Sequence, residues 1–312
     1  MVHGPQSRGS SKAPDCDGTR PARPRVALTW YLLRTMNDRR AAGEPGEKRK
    51  VTTAELKRMK ERGEPIAALT AYDHTMARLL DEAGLDVLLV GDSVAMVVQG
   101  RETTVSVTME QMLYHAGLVA AGAERALVVG DLPFMSYQVN ADEALRNAGR
   151  MVKEAGVEAV KVEGGEPICA TVRRIVDVGI PVMGHLGLTP QSIHKFGTYQ
   201  VRATEPEEAD QLRRDARALQ DAGVFALVLE KIPATLAQEI SASLAVPVIG
   251  IGAGAGCDGQ ILVTHDMLGI YNRFRPRFVR RYAQLGEVMV GAFQHFVTDV
   301  KARRFPSAVE SY

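Results

Sequence analysis

The chain contains few cysteines and few aromatic residues, and its charge is almost balanced. Cys16, Cys169 and Cys257 are an odd, widely spaced set among 312 residues. They resemble neither a disulfide framework nor a CxxC metal site, so a reducing cytoplasm is the simplest compartment. The 38 basic and 37 acidic residues leave a formal charge of +1, which gives no indication of a nucleic-acid or membrane-surface partner.

The sequence also lacks an apolar run long enough to cross a membrane. The nearest candidate, residues 26–36, is shorter than the ~20 residues that a spanning helix needs, and it contains Arg34. No small-residue cleavage site follows it, which argues against a secretory signal. Residues 1–50 are rich in Pro, Gly, Ser, Arg and Lys. That composition buries too little surface to offset chain entropy, so we expect a disordered N-terminal extension ahead of a catalytic domain over residues 51–312.

Short apolar runs alternate with amphipathic stretches from residue 65 onward. The strand candidates span residues 66–73, 87–92, 126–133, 159–165, 181–187, 225–233, 246–254 and 259–266. The predicted helices span residues 53–62, 74–82, 141–155, 207–222 and 282–303, with one more beginning near 108. Eight strand candidates in one βα series predict an α/β protein with a closed (β/α)₈ TIM barrel, a fold that commonly occupies ~250 residues as one domain.

Local signals support several of these helices. Thr52 or Thr53 can act as the N-cap of the first helix, and Gly63 can supply its left-handed C-cap. The tetrad that starts at Thr108 has capping-box spacing. The last helix has apolar residues at the spacing of one buried face, namely Leu285, Val288, Met289, Ala292 and Phe293.

Three carboxylates end apolar runs at similar intervals. Asp92, Asp131 and Glu163 are separated by 131 − 92 = 39 and 163 − 131 = 32 residues, about the length of one strand–helix–strand unit. The carboxyl ends of parallel strands meet at one face of a barrel. Three acidic side chains at that face form a hard oxygen cluster suited to Mg²⁺. Alternatively, each acid caps the following helix or pairs with a nearby cation.

Three further residues are candidates for catalysis or substrate binding. Glu230 follows an apolar run, where a desolvated carboxylate could act as a base, although a salt bridge with Lys231 is the alternative. Lys161 lies two residues before Glu163 and therefore on the same strand face, as a substrate-orienting cation or only a counter-ion. His185 could hydrogen-bond a substrate oxygen, or it could be a core histidine whose hydrogen bonds are all made within the protein.

Other motifs are less specific. The loop over residues 188–206 is long and polar, which favours a lid over the site. The glycine-rich run at 250–256 occurs too late for a dinucleotide fingerprint, so it binds an anion or permits close packing. A hydrolytic triad could be arranged from Ser93, His265 and Asp266. The sequence around Ser93 lacks the GxSxG elbow that usually accompanies such a triad, so this motif does not support it. The arginine-rich run at 272–282 is typical of a solvated face or a subunit contact rather than an RNA site.

From about residue 51 to the C-terminus, the sequence closely resembles the 3-methyl-2-oxobutanoate hydroxymethyltransferase (ketopantoate hydroxymethyltransferase) family of pantothenate biosynthesis. The motifs that carry the resemblance are LTAYDHTMARLLDEAGLDVLLVGDS, TTVSVTMEQM, GDLPFMSY, AVKVEGG, PVMGHLGLTPQS, LVLEKIP and IGIGAGAGCDGQILVTHDMLG. The resemblance implies a barrel of the phosphoenolpyruvate/pyruvate type that uses Mg²⁺, one ion per subunit, and moves a one-carbon unit from 5,10-methylenetetrahydrofolate to 3-methyl-2-oxobutanoate.

The resemblance also implies roles for individual residues. The metal positions of the family fall on Asp92, Asp131 and Glu163. Its oxoacid-binding positions fall on Asp92, Ser93, Asp131 and Lys161, and its proton acceptor falls on Glu230. His185 matches a histidine near the substrate. Members form homo-oligomers, often decamers, so a decamer is expected here as well.

Two other functions remain open at this point. A lyase or mutase of the phosphoenolpyruvate/pyruvate superfamily would use the same metal and enolate with another electrophile. A non-catalytic barrel would bind an oxoacid or act as an assembly scaffold, but the presence of all the site carboxylates argues against it.

Overall fold

In the computed structural model, the strands form a closed barrel in which every neighbouring pair is parallel, in the order β1 to β8. The structure describes residues 49–271 and 276–312, so the predicted disorder of residues 1–50 falls almost wholly outside the described residues, as does part of the arginine-rich run. The strands are β1 Ile66–Thr70, β2 Val87–Val90, β3 Leu127–Asp131, β4 Ala159–Glu163, β5 Val182–Gly187, β6 Ala226–Glu230, β7 Val248–Ile251 and β8 Gly259–Leu262. The predicted (β/α)₈ barrel is confirmed.

Helices alternate with these strands on the outside of the barrel. In the described residues they are α1 Thr53–Arg62, α2 His74–Glu82, α3 Val94–Val97, α4 Met109–Gly122, α5 Ala141–Lys153, α6 Cys169–Val176, α7 Ile193–Phe196, α8 Pro206–Asp221, α9 Ala234–Ser243, α10 Thr264–Met267 and α11 Leu285–Lys301. None of the helices in this part of the chain is long and apolar enough to cross a membrane. The sequence reading assigned no helix to α6 or α9, and it treated the segment that contains α7 as a loop.

The predicted helix signals are present. Thr52 accepts a hydrogen bond from the backbone N–H of Glu55, and Gly63 ends α1 in the left-handed region. Thr108 and Gln111 form the predicted capping box of α4. Each device satisfies backbone groups that a helix end leaves unpaired.

Alternate residues along each strand point into the barrel. Inward residues form one apolar cluster at the level of Leu89, Val129 and Val228, whereas outward residues such as Val128 and Leu227 pack against the helices. On β3 the inward series runs Leu127, Val129 and Asp131, so the acid occupies the next inward position at the carboxyl end. The barrel is therefore apolar in its lower layers and polar at its mouth.

Helix α1 closes the amino-terminal end of the barrel. Its buried side chains, Leu56 and Met59, join the interior apolar cluster. Lys60 Nζ donates a 2.7 Å hydrogen bond to Asp258 Oδ2, directly before β8, and thereby ties α1 to the barrel floor. Entry to the interior is therefore directed to the carboxyl ends of the strands.

The prediction of a buried face on the last helix is wrong. No residue of α11 is buried, and Val288 and Phe293 are 65% and 60% exposed. The outer face of the barrel is also uncovered where β8 pairs with β1. Ala67 on β1 and Gln260 on β8 are paired neighbours there, and both side chains are exposed. The spacing does give α11 an apolar face, but no described part of the chain covers that face.

Candidate active site

The mouth of the barrel contains a pocket lined by every residue that the sequence analysis assigned to the site. Four of these side chains point inward at the carboxyl ends of their strands. They are Asp131 on β3, Lys161 and Glu163 on β4, and Glu230 on β6. The loop after β2 supplies Asp92 and Ser93, and β5 supplies His185. The sequence therefore identified a set of residues that the fold brings together.

Lys161 lies among three buried groups. Its Nζ is 3.1 Å from Asp131 Oδ1, 3.7 Å from Glu163 Oε1 and 3.3 Å from His185 Nδ1. Burial alone would lower the pKa of Lys161, but the carboxylates of Asp131, Glu163 and Asp92 raise it above its ordinary value. Lys161 is therefore a permanent positive charge in this pocket.

His185 connects two of the acids. Its Nδ1 is 3.2 Å from Glu163 Oε1, and its Nε2 is 3.3 Å from Glu230 Oε2. Burial and the charge of Lys161 lower the pKa of His185, whereas hydrogen bonds to Glu163 and Glu230 raise it, and the net result is a pKa of about 9. A histidine with that pKa is protonated at neutral pH, so it contributes a second positive charge.

The acids nevertheless outnumber the cations. Burial, followed by the charges of Glu163 and Asp131, raises the pKa of Asp92 to about 8. Burial also raises the pKa of Asp131. Burial acts in the same direction on Glu163, but hydrogen bonding and charge from His185, together with the charge of Lys161, outweigh it and hold the pKa of Glu163 below its ordinary value. Burial is the largest cause of both rises, and a carboxyl group with a pKa of about 8 is mostly protonated, and therefore neutral, at neutral pH.

Gln191 connects two of these acids, and the sequence analysis did not single it out. Its side-chain Nε2 donates to Asp92 Oδ2, and its backbone N–H donates to Glu163 Oε2, each at 3.0 Å. Tyr137 donates its hydroxyl to Gln191 Oε1 at 2.8 Å. Gln191 lies in the segment predicted to be a lid, which packs as a 3₁₀ turn followed by α7 rather than as an extended loop.

The donor set suits a hard divalent cation, although the carboxylates are engaged with protein groups. Among the residues that the structure describes, no three acidic, histidine or cysteine side chains are arranged to hold a metal ion as they stand. Asp92 instead contacts Gln191, and Asp131 and Glu163 contact Lys161. Asp131 Oδ1 is buried without a well-aligned hydrogen bond, so it retains acceptor capacity for a cation. Cation binding requires these carboxylates to exchange protein contacts for the ion.

Glu230 is more accessible than the other acids. Its side chain is 15% exposed and borders the pocket, whereas the Asp131 side chain is 3% exposed. The backbone beside it is tightly constrained, because a Cβ on Gly187, whose φ is +90°, would lie 2.3 Å from the Glu230 carbonyl oxygen. Only glycine fits that position without displacing the backbone of Glu230.

The weaker motifs have structural explanations. Ser93 Oγ is hydrogen-bonded to the Tyr72 hydroxyl at 2.8 Å, and within the described ranges no hydrogen bond joins it to His265, so a hydrolytic triad is not formed. In the glycine-rich run, a Cβ on Gly254 would lie 2.4 Å from Ala234 Cβ on α9. Close packing against α9 is thus the role this glycine has.

Solved structures of other enzymes share the fold of this barrel. It is similar to a phosphoenolpyruvate phosphomutase from Streptomyces platensis subsp. rosaceus, with a TM-score of 0.55, 18% identity, and coverage of 80% of this chain and 88% of that one. A 2,3-dimethylmalate lyase, described as a member of the phosphoenolpyruvate mutase/isocitrate lyase superfamily, gives a TM-score of 0.51 at 19% identity, covering 82% of this chain and 89% of the lyase. At these identities the likeness shows the fold alone.

Residues 50–308 match the family model of ketopantoate hydroxymethyltransferase, and the chain belongs to that family. A relative named 3-methyl-2-oxobutanoate hydroxymethyltransferase, from Salinibacter ruber, is 61% identical over 263 residues, which are 84% of this chain and 99% of the relative. The predicted family is confirmed.

Proposed function

We propose that the protein transfers a hydroxymethyl group from 5,10-methylenetetrahydrofolate to 3-methyl-2-oxobutanoate and releases 2-dehydropantoate (ketopantoate). The observation that carries this proposal is the convergence of Asp92, Asp131, Glu163, Lys161 and Glu230 in one pocket of a chain that belongs to the hydroxymethyltransferase family. A lyase or mutase is favoured only by fold neighbours at 18–19% identity.

Asp92, Asp131 and Glu163 would hold a single Mg²⁺ ion. Carboxylate oxygens are the ligands that Mg²⁺ prefers, and Asp131 Oδ1 is a buried acceptor without a well-aligned hydrogen bond. When bound, the ion supplies Lewis-acid polarisation of the oxoacid. The protein's own cation, Lys161, would attract the substrate carboxylate, and Ser93, which lines the same pocket, would donate its hydroxyl to the oxoacid.

Glu230 would remove the proton from C3 of the oxoacid. It is the acid in this group that combines a position at the pocket wall with partial exposure, so it can approach substrate carbon. His185, which lies between Glu163 and Glu230, would fix the orientation of the Glu230 carboxylate. Lys161 would stabilise the negative charge that develops on the oxoacid, so positioning and electrostatics act together. One C–N bond of the folate methylene bridge opens, and the resulting carbon nucleophile forms a C–C bond to the methylene carbon. Water then breaks the remaining C–N bond, giving its hydroxyl to that carbon and a proton to the departing nitrogen, and tetrahydrofolate is released.

The decisive experiment measures 2-dehydropantoate formed by the purified protein from Mg²⁺, 3-methyl-2-oxobutanoate and 5,10-methylenetetrahydrofolate. We expect product only when all three are present, and chelation of the metal should stop turnover. Without folate, the protein should still exchange the C3 proton of the oxoacid with solvent. Cleavage or rearrangement of an oxoacid without folate would support the lyase or mutase, and no turnover of any kind would support a non-catalytic barrel.

We also propose a cytoplasmic location. Cys169 is buried and Cys257 is partly buried, and both are free thiols. Free thiols are usual where the compartment is reducing.

A homo-oligomer would cover the apolar face of α11. Phe293 and Phe296 on this helix are 60% and 56% exposed, and the outer face of β1 and β8 is uncovered at Ala67 and Gln260. A contiguous exposed apolar face marks an interaction site, and one chain offers both an apolar helix and an uncovered strand pair. A second copy of the chain is therefore the partner we propose, with a decamer as the expected assembly.

Replacing both Phe293 and Phe296 by Asp should reduce the molar mass measured by light scattering to that of a smaller assembly, because two buried charges would oppose the interface. The matched control is Gln294→Asp, which lies between them and is also exposed. An unchanged mass in the double variant, or a monomeric wild type, would remove α11 from the interface.

A further inference from the structure

The pocket has two chemically different sides. The ends of β2 to β6 carry the acids, Lys161 and His185, whereas the side formed by β7, β8 and the segment after α10 is mainly apolar. That apolar side is lined by Ile251, Ile261, Leu262, Val263, Pro276 and Phe278. The oxoacid is small and anionic and belongs beside Lys161, so its binding leaves the apolar side unused.

One carboxylate lies within this apolar side. Asp266 belongs to α10, and its neighbour Thr264 anchors the helix to β1, because the Thr264 N–H donates to Thr70 Oγ1 at 3.0 Å and the Thr264 hydroxyl donates to Thr70 O at 2.5 Å. The carboxylate of Asp266 is thereby fixed at the pocket wall rather than on a loose loop. The loops that follow barrel strands are the usual positions of substrate-binding groups.

Over residues 49–271 and 276–312, the Asp266 carboxylate accepts no hydrogen bond and forms no ion pair within 4.0 Å, although the charge of Arg281 acts on it from further away. Burial raises its pKa to about 6, and the charge of Arg281 acts in the opposite direction. A half-buried carboxylate without a donor is costly, so the arrangement is favourable when a ligand supplies N–H groups.

We infer that Asp266 and the apolar side of the pocket bind the fused-ring head of the folate co-substrate. The pyrimidinone edge of that head has a ring N–H beside an exocyclic amino group, and these two parallel donors match the two oxygens of a carboxylate. Phe278 and Ile251 then contact the ring face, since flat heterocycles pack favourably on aromatic and apolar side chains. This inference rests on the proposed function and extends it to the second substrate.

The same carboxylate separates the two substrates. Asp266 repels the anionic oxoacid, whereas Lys161 on the opposite side attracts it. Each substrate is therefore directed to its own half of the pocket. Glu230, on β6, lies between the two sides in strand order, where the carbon atoms that react must meet.

The test compares wild type with Asp266→Asn in the presence of Mg²⁺. The amide places an N–H group opposite one of the pterin donors, so we expect the KM for 5,10-methylenetetrahydrofolate to rise at least tenfold. The rate of C3 proton exchange in 3-methyl-2-oxobutanoate, measured without folate, reports on the fold and on the oxoacid half of the pocket. We expect that rate to change less than twofold. The matched control is Asp210→Asn on the exposed surface of α8, which should leave both quantities unchanged.

A second measurement does not depend on the variant. Wild type should bind tetrahydrofolate at least tenfold more tightly than its analogue lacking the 2-amino group, and Asp266→Asn should lose that discrimination. If wild type transfers the hydroxymethyl group but does not distinguish the two ligands, or if the variant keeps the wild-type KM, Asp266 does not bind the pterin and the proposed function stands. If wild type fails to transfer it at all, the proposed function is wrong and this inference is wrong with it.

Discussion

Glu230→Gln is expected to abolish both hydroxymethyl transfer and the metal-dependent exchange of the C3 proton, with the oxoacid still bound. The amide is nearly isosteric but cannot accept the proton, and removal of a general base typically lowers a rate by about 10²–10⁴-fold. NMR measurement of deuterium incorporation at C3 isolates this step, because it requires no folate. Binding of the oxoacid, followed by calorimetry, should weaken by less than about threefold, since Lys161 and the three other acids are unchanged.

The matched control is Glu61→Gln, which makes the same chemical change on the exposed face of α1, far from the pocket. Its exchange rate should equal that of wild type. Wild-type exchange in Glu230→Gln would mean that another group is the base. Loss of oxoacid binding in that variant would instead indicate that Glu230 holds the substrate.

Lys161→Met is expected to have the second largest effect, and to affect stability as well as turnover. Lys161 is 3% exposed and contacts Asp131 and Glu163, so its removal leaves buried acids without their counter-ion. Breaking a buried ion pair by removing one partner typically costs about 3–5 kcal/mol. We expect the free energy of unfolding in urea, measured without metal, to fall by about that amount, and the transfer rate to fall at least ~100-fold with the loss of charge stabilisation.

Added Mg²⁺ provides a diagnostic for this variant. Because the acids have lost their protein cation, the melting temperature of Lys161→Met should rise more on addition of Mg²⁺ than that of wild type does. Lys153→Met, on the exposed surface of α5, should behave like wild type in every assay. A variant that is as stable as wild type without metal would show that Lys161 does not compensate the acids.

Much of the site could be predicted from the sequence because strands have a simple geometry. Side chains two residues apart share a face, so Lys161 and Glu163 had to project together, and Asp131 and Glu230 had to continue the inward apolar series of their strands. The parallel order of the strands then places their carboxyl ends at one face. The convergence of Asp131, Lys161, Glu163 and Glu230 follows from those two rules, whereas Asp92 and Ser93 come from the loop after β2.

The contacts of Gln191 could not be predicted in the same way. Gln191 bonds to Asp92, which is 99 residues distant in sequence, through a turn that has no periodic pattern. The pairing of Glu163 with His185 depends on the register of β4 against β5, which the hydrophobic pattern does not specify when both strand faces are buried. The exposure of α11 shows a further limit, because periodicity identifies an apolar face but not the surface that covers it.

The closure of the barrel floor by α1 has a kinetic consequence. With Leu56 and Met59 filling the amino-terminal end, both substrates reach the described pocket through its mouth. The oxoacid half is the more deeply buried, so a bound folate would obstruct it. We therefore expect a compulsory sequence in which the oxoacid enters first and tetrahydrofolate departs before the product. Product-inhibition patterns distinguish this sequence from random addition, in which either substrate could bind to the free enzyme.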